Sequence, residues 1–216
     1  MTREELIKNV ALKMDEISSS DDVIVSVLSS DNNPLYTQIN GLLNESINDV
    51  LTKAPVYRIQ DHIAVLNNKG TAKNIFGSTR KSYVITVPDD FIRLVSISDT
   101  NLQRPIVDLS IDGDDVSKRQ YNKFLVAKSA KPVAVLGRDT AGKRIITCYS
   151  FSASVTPAPS FSYIQRYVKN TMNADAGLSD YLIEIVSWVC AGRVFAVQGD
   201  INRSKMCDEN ASALMI

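Results

Sequence analysis

The stretch from about Asp180 to Gln198 constrains this chain most, because it is helical in rhythm yet apolar almost all round. Leu182, Ile183, Ile185, Val186, Trp188, Val189, Val194, Phe195 and Val197 leave it almost no polar face, so such a helix must be buried on several sides. Ser179 is placed to cap its start, and Gly199 makes a joint to a shorter helix after Asp200. A membrane span is a poor explanation: Glu184 and Arg193 interrupt the run, which falls short of the roughly 20 apolar residues a span needs. Two burials would satisfy it, one at the centre of the chain's own core and one partly against a neighbouring copy.

The N-terminal region offers material for that core. Thr2 and Glu5 form a capping box, and Leu6, Val10, Met14 and Ile17 follow at helical spacing, which predicts an amphipathic helix over 3–17. Residues 21–30 carry both an alternating Val23, Val25, Val27 pattern and a four-residue spacing of Ile24 and Leu28, so strand and helix remain open there. Asn33 can cap a second helix with Pro34 at its first position; Ile39, Leu42, Leu43, Ile47, Val50 and Leu51 keep one face apolar until Pro55. The two helices are expected to form a hairpin whose stripes bury each other.

From Val56 the rhythm changes. Tyr57, Ile59, His62, Ile63 and Val65 suggest one extended segment, and the polar stretch 67–82 reads as a mobile loop that a partner would order. Tyr83 to Val87 and Arg93 to Ser98 read as strands around Pro88-Asp-Asp. Asp114 can cap a short helix over 114–125 with Val116, Tyr121, Phe124 and Leu125 as its apolar residues. Three β-rich runs follow, Pro132 to Leu136, Arg144 to Phe151 and Phe161 to Tyr167, with hairpin loops expected at 137–143 and 156–160. The prediction is an α+β fold: a helical hairpin over 1–55, a β-rich region with a short helix over 56–170, and C-terminal helices over 171–216 that join the N-terminal ones in a helical core.

At 216 residues such a chain can bury roughly 70% of its unfolded surface, enough for one substantial core. Its 24 basic residues balance 24 acidic ones, which argues against a dedicated nucleic-acid binder, since those show a basic excess. The charge is nonetheless uneven. Lys118, Arg119, Lys123, Lys128, Lys131, Arg138, Lys143 and Arg144 face Asp139 alone within 116–147, directly after Asp108, Asp112, Asp114 and Asp115. Adjoining acidic and basic blocks can pair neighbouring copies or simply form a solvated surface. The start of the sequence lacks an apolar core of signal-peptide length, so secretion is not expected. Cys148, Cys190 and Cys207 lack CxxC spacing and suit free thiols rather than disulfides or a zinc site. The sequons at Asn44, Asn202 and Asn210 carry no weight without a secretory route.

Three groups of residues call for weighing as chemistry. Gly137-Arg-Asp-Thr-Ala-Gly-Lys143 matches the phosphate-binding G-x-x-x-x-G-K, but Arg144 replaces the Ser or Thr that would hold magnesium. A strand rather than a helix is expected next, so a turn between strands is the better reading. His62, the one histidine, has no nucleophile-elbow pattern to work with. Asp21-Asp22, Asp89-Asp90 and Asp114-Asp115 could bind a cation in principle, yet adjacent acids point different ways, and capping or turn roles explain them. No catalytic residue, cofactor or metal site is expected.

Tyr83-Val-Ile-Thr-Val-Pro-Asp-Asp-Phe-Ile-Arg-Leu-Val-Ser at 83–96, with Arg104-Pro-Ile just after, resembles the strand-turn-strand signature of tailed-phage head-to-tail connector proteins. The start is similar to ring proteins of crAss-like phages through Glu5-Leu-Ile, Met14-Asp-Glu-Ile-Ser, Asn32-Asn-Pro-Leu-Tyr and Ala54-Pro-Val-Tyr. The apolar helix, Gly-Asp joint and short terminal helix also resemble the close of many connector subunits. The likeness covers about half the chain; 114–167 aligns with nothing in it. It implies a non-enzymatic virion protein made in the host bacterial cytoplasm and built into the portal vertex. Its partners would be copies of itself in a ring, of twelve by the resemblance, the portal protein, neighbouring connector or tail proteins, and viral DNA passing without sequence-specific binding; no membrane is implied. Residues 200–216 would help attach the subunit, with Met206, Leu214, Met215, Ile216 and Arg104 as interface candidates. The alternatives are another virion or tail-completion adaptor and a nucleotide-binding enzyme using the loop at 137–143.

Overall fold

A computed structural model describes residues 1–17, 34–67, 69–77, 79–152, 154–169, 171–173 and 175–215. The chain is α+β, with helices at both ends and a strand-rich middle. It divides into two compact units, 1–62 with 166–216 and 63–165. The unassigned segment at 21–30, the Asn33 cap, the Asp21-Asp22 pair and Ile216 lie outside the described residues.

The first unit is built from α1 (Arg3–Ile17), α2 (Pro34–Lys53), α4 (Asp180–Val197) and α5 (Ile201–Leu214). Its start obeys the capping-box expectation: the Glu5 amide donates to Thr2 Oγ1 at 3.2 Å, and the Thr2 amide donates to Glu5 Oε2 at 2.8 Å. The stripes of α1 and α2 do not chiefly bury each other. Both pack mainly on α4, which also receives α5, so α4 is surrounded by three helices. This arrangement answers the all-round apolar character of α4 within a single copy: Leu182, Ile183, Ile185, Val186, Trp188, Val194 and Phe195 are all buried.

The two charged interruptions of α4 are accommodated at its flanks. Glu184 pairs with Lys13 of α1 at 2.9 Å, and Arg193 pairs with Asp49 of α2 and with Glu45 at 3.2 Å. Lys13 also lies 4.9 Å from the Trp188 ring centroid, in cation–π range. Gly192 sets the approach of α5, because a Cβ there would meet the Cys207 Cβ at 3.1 Å. Gly199 turns the chain between the helices with φ of 83°, a conformation that costs glycine little, and Asp200 then caps α5 by accepting from the Arg203 amide. Ser179 occupies the N-cap position of α4 but makes no capping hydrogen bond. Arg3 is buried and holds the unit together, donating to Asn40 Oδ1 at 2.8 Å, Asn44 Oδ1 at 2.7 Å, the Asn40 carbonyl and the Lys169 carbonyl.

Val56 to His62 is not extended, contrary to expectation. It makes two single 3₁₀ turns, Val56–Arg58 and Gln60–His62, which bury Ile59 while Tyr57 stays exposed; the apolar residues there are spaced for turns as well as for a strand.

The second unit contains β1 (Ile63–Asn67), β2 (Gly70–Ile75), β3 (Arg80–Thr86), β4 (Phe91–Ser98), β5 (Leu109–Ile111), α3 (Asp115–Gln120), β6 (Ala134–Arg138), β7 (Arg144–Ser152) and β8 (Ser160–Gln165). A three-stranded sheet runs β1-β8-β4, and a five-stranded one runs β2-β3-β7-β6-β5. Tyr83, Ile85, Ile146, Cys148, Phe161 and Tyr163 belong to one core to which both sheets contribute. Phe161 stacks with Phe91 and Tyr163, ring centroids 5.9 and 5.2 Å apart.

Three expectations for this unit need correction. The polar stretch 67–82, expected to be a loop that awaits a partner, forms β2 and pairs with β3 in the single chain. An edge strand needs only its backbone ladder, and β2 is exposed almost throughout, so its composition carried no burial signal. The break at 156–160 is no hairpin: β7 and β8 belong to different sheets, and the segment carries the chain from one to the other. The helix predicted over 114–125 ends at Gln120, and its apolar residues are not buried. The expected turn at 137–143 does join antiparallel β6 and β7.

Candidate functional site

α3 is held in place by buried polar side chains. It forms the crossover between the parallel pair β5 and β6, and Asp114 caps it as predicted, accepting from the Ser117 amide at 2.6 Å. Two of its polar residues face inward, Ser117 and Gln120, whereas Val116 is exposed along with Asp115, Lys118 and Arg119. Ser117 Oγ donates to Asp112 Oδ1 at 2.9 Å, Gln120 Nε2 donates to the Val116 carbonyl at 2.8 Å, and Gln120 Oε1 accepts from the Ala127 amide at 3.0 Å. These bonds anchor α3 through two polar side chains; Asp115, Val116, Lys118 and Arg119 are its exposed residues, and the large exposed apolar side chains follow the helix in 121–125.

The outward side chains are large. Phe124 is 85% exposed, Tyr121 66% and Leu125 59%. Val116, Phe124 and Leu125 line a groove of about 470 Å³ whose rim carries Arg119, Lys128 and Lys131. No carboxylate lines it, and none of the three cations has an ion pair among the described residues. A second groove of about 380 Å³ lies over the outer face of the five-stranded sheet, where Tyr121 and Tyr149 meet Ile75, Phe76, Val84 and Ile145. Burial, with Tyr121 alongside, pushes the Tyr149 phenol up to about 12, so it stays protonated. Contiguous exposed apolar surface with a charged rim is the property of a docking surface.

In the helical unit, Val197, Ile201 and Met206 are exposed near the α4–α5 joint and along α5. Of the predicted interface residues, Met206 is 50% exposed, Leu214 is exposed at the end of α5, and Met215 is partly buried. Leu214 lies seven residues after buried Cys207, so it continues the face that α5 turns toward α4 rather than joining Met206. Arg104 belongs to the other unit and is exposed. Sequence reasoning missed the α3 surface: Gln120 lies four residues after Val116 and Tyr121 four after Ser117, so helical spacing does not separate the buried from the exposed residues.

The remaining sequence candidates have structural occupations. In the 137–143 turn, Asp139 Oδ1 accepts from the amides of Ala141 and Lys143, each at 2.9 Å, so the chain's own carboxylate takes the donors a phosphate would need. β7 follows that turn. Burial lowers the pKa of His62 against the raising effect of Asp61, and its Nε2 is buried without a hydrogen-bond partner among the described residues. Asp90 accepts from Tyr163 Oη and Gln165 Nε2, holding the turn after β3 to β8. The three cysteines are free and buried. Among the described residues no group of histidine, cysteine and carboxylate side chains could hold a metal ion, and no helix is long and apolar enough to cross a membrane. No protein-family model and no curated protein sequence matches this chain.

Proposed function

We propose that this chain is a non-enzymatic virion subunit that forms a ring, of twelve copies by the resemblance, between the portal and the tail of a tailed bacteriophage. In that role it extends the DNA channel and gives neighbouring connector or tail proteins a docking surface. The observation that carries the reading is the exposed apolar cluster of Tyr121, Phe124 and Leu125 directly after α3, a helix held from within by the internal hydrogen bonds of Ser117 and Gln120. Exposed apolar residues in the helical unit as well give the chain a surface in each unit, as a subunit with several neighbours requires. The resemblance at 83–96 supplies the specific assembly, and a formal charge of zero suits a wall past which DNA slides, since each phosphate neutralised strengthens binding.

Attachment to the portal is assigned to the exposed side of α5. Removing residues 200–216 is a poor test, because the deletion also strips buried Cys207 and Ala211 from α4. Met206→Glu changes an exposed side chain and leaves that packing intact. Loss of co-sedimentation with the portal protein, with an unchanged melting temperature, is the expected result; undiminished attachment would remove α5 from the portal contact.

A further inference from the structure

We propose that the basic-rimmed groove beside α3 receives the 107–115 segment of a second copy, head to tail. The groove asks for an occupant with apolar side chains and carboxylates: Val116, Phe124 and Leu125 line it together with Arg119, Lys128 and Lys131, and no carboxylate is among its lining residues. The chain carries that chemistry on its own surface. Residues 107–115 expose Val107 and Ile111, 56% and 69% accessible, together with Asp108 and Asp115. β5 within this segment is an edge of the five-stranded sheet, with β6 as its one strand neighbour.

The acidic residues of the segment divide by occupation. Asp112 and Asp114 are engaged internally, by Ser117 and by the Ser117 and Ile111 amides. Asp108 has no ion pair among the described residues, and Asp115 has only a 3.8 Å contact with exposed Lys118, worth little in water. Both can therefore be given to a neighbour's rim, while Val107 and Ile111 cover its apolar floor. A contact between two different patches of one chain continues from copy to copy and closes a ring where the rotation permits. The inference rests on the assembly reading above, to which it supplies one self-contact. It can fail while that reading survives, because portal attachment is read at Met206 in the other unit.

The test is charge exchange on the full chain, followed by light scattering after size separation at the highest soluble concentration. The wild type is expected to form species larger than a dimer. Lys128→Glu with Lys131→Glu removes the basic rim, and Asp108→Lys with Asp115→Lys removes the acidic side; each variant alone is expected to remain monomeric with an unchanged far-ultraviolet dichroism spectrum. Mixing the two restores opposite charges across every contact and is expected to restore the large species. A monomeric or strictly dimeric wild type, single-side variants that still assemble, or a mixture that stays monomeric would each overturn the proposal.

Discussion

α4 and the 116–125 segment are both rich in large apolar side chains, yet the chain treats them oppositely. α4 is enclosed by α1, α2 and α5, and its two charges find partners on the flanking helices. The 116–125 segment is anchored by Ser117 and Gln120 and turns Phe124, Leu125 and Tyr121 outward. The lesson is that apolar content alone does not locate a core. The position of a few polar residues that can be satisfied internally decides which side of a short helix faces in.

Substitutions can break that contrast, beginning with the core. Ile185→Ala at a fully buried position of α4 is expected to cost about 2–5 kcal/mol in denaturant unfolding, the usual range for deleting a buried branched side chain. Arg3→Ala should cost about 3 kcal/mol by the same measurement, because it orphans the Asn40 and Asn44 acceptors and the carbonyls of Asn40 and Lys169 inside the helical unit. Asp114→Ala, which removes the cap of α3 and the acceptor for the Ile111 amide, is expected to cost about 1 kcal/mol. Its consequence for assembly should exceed that figure, since the cap orients the outward strip. Phe124→Ala sharpens the contrast from the other end: its effect on stability should stay within about 0.5 kcal/mol, as for surface positions generally, while concentration-dependent association weakens. A large stability loss there would mean that Phe124 is core after all.

The helical unit also predicts a pH response. Burial holds the His62 pKa below its ordinary value of about 6.5, so the neutral ring is the form the fold accepts. The contribution to stability is present above the ordinary value and is lost as pH falls through the lowered one. Thermal melts between neutral and mildly acid pH should show a decline that His62→Gln reduces; an identical decline in the variant would assign the acid sensitivity elsewhere.

The contrast also explains what could be read from the residues alone. α1 and α2 were legible because a 3.6-residue apolar rhythm runs for three or more turns, with the Thr2–Glu5 capping box at the start of α1, and α4 and α5 were legible from a long all-round apolar run followed by the Gly199-Asp200 joint. β2 was not legible, since Thr71, Lys73 and Asn74 satisfy an edge ladder without burying anything. The 137–143 turn was readable from Arg144 and the strand behind it, and Asp139 supplies the physical reason. The α3 surface was hidden because Val116 shares its helix side with Gln120 and Tyr121 with Ser117, so spacing does not tell the buried residues from the exposed ones. Among the proposed interface residues on α5, Met206 and Leu214 are both exposed. The missing information was tertiary in each case: which polar groups find partners, and which edges stay open.

The most direct measurement is the molar ratio of this chain to the portal protein in purified particles from the source of the sequence, by quantitative mass spectrometry. The account predicts near parity or a small whole multiple of it. Particles that contain the portal protein but lack this chain would contradict it.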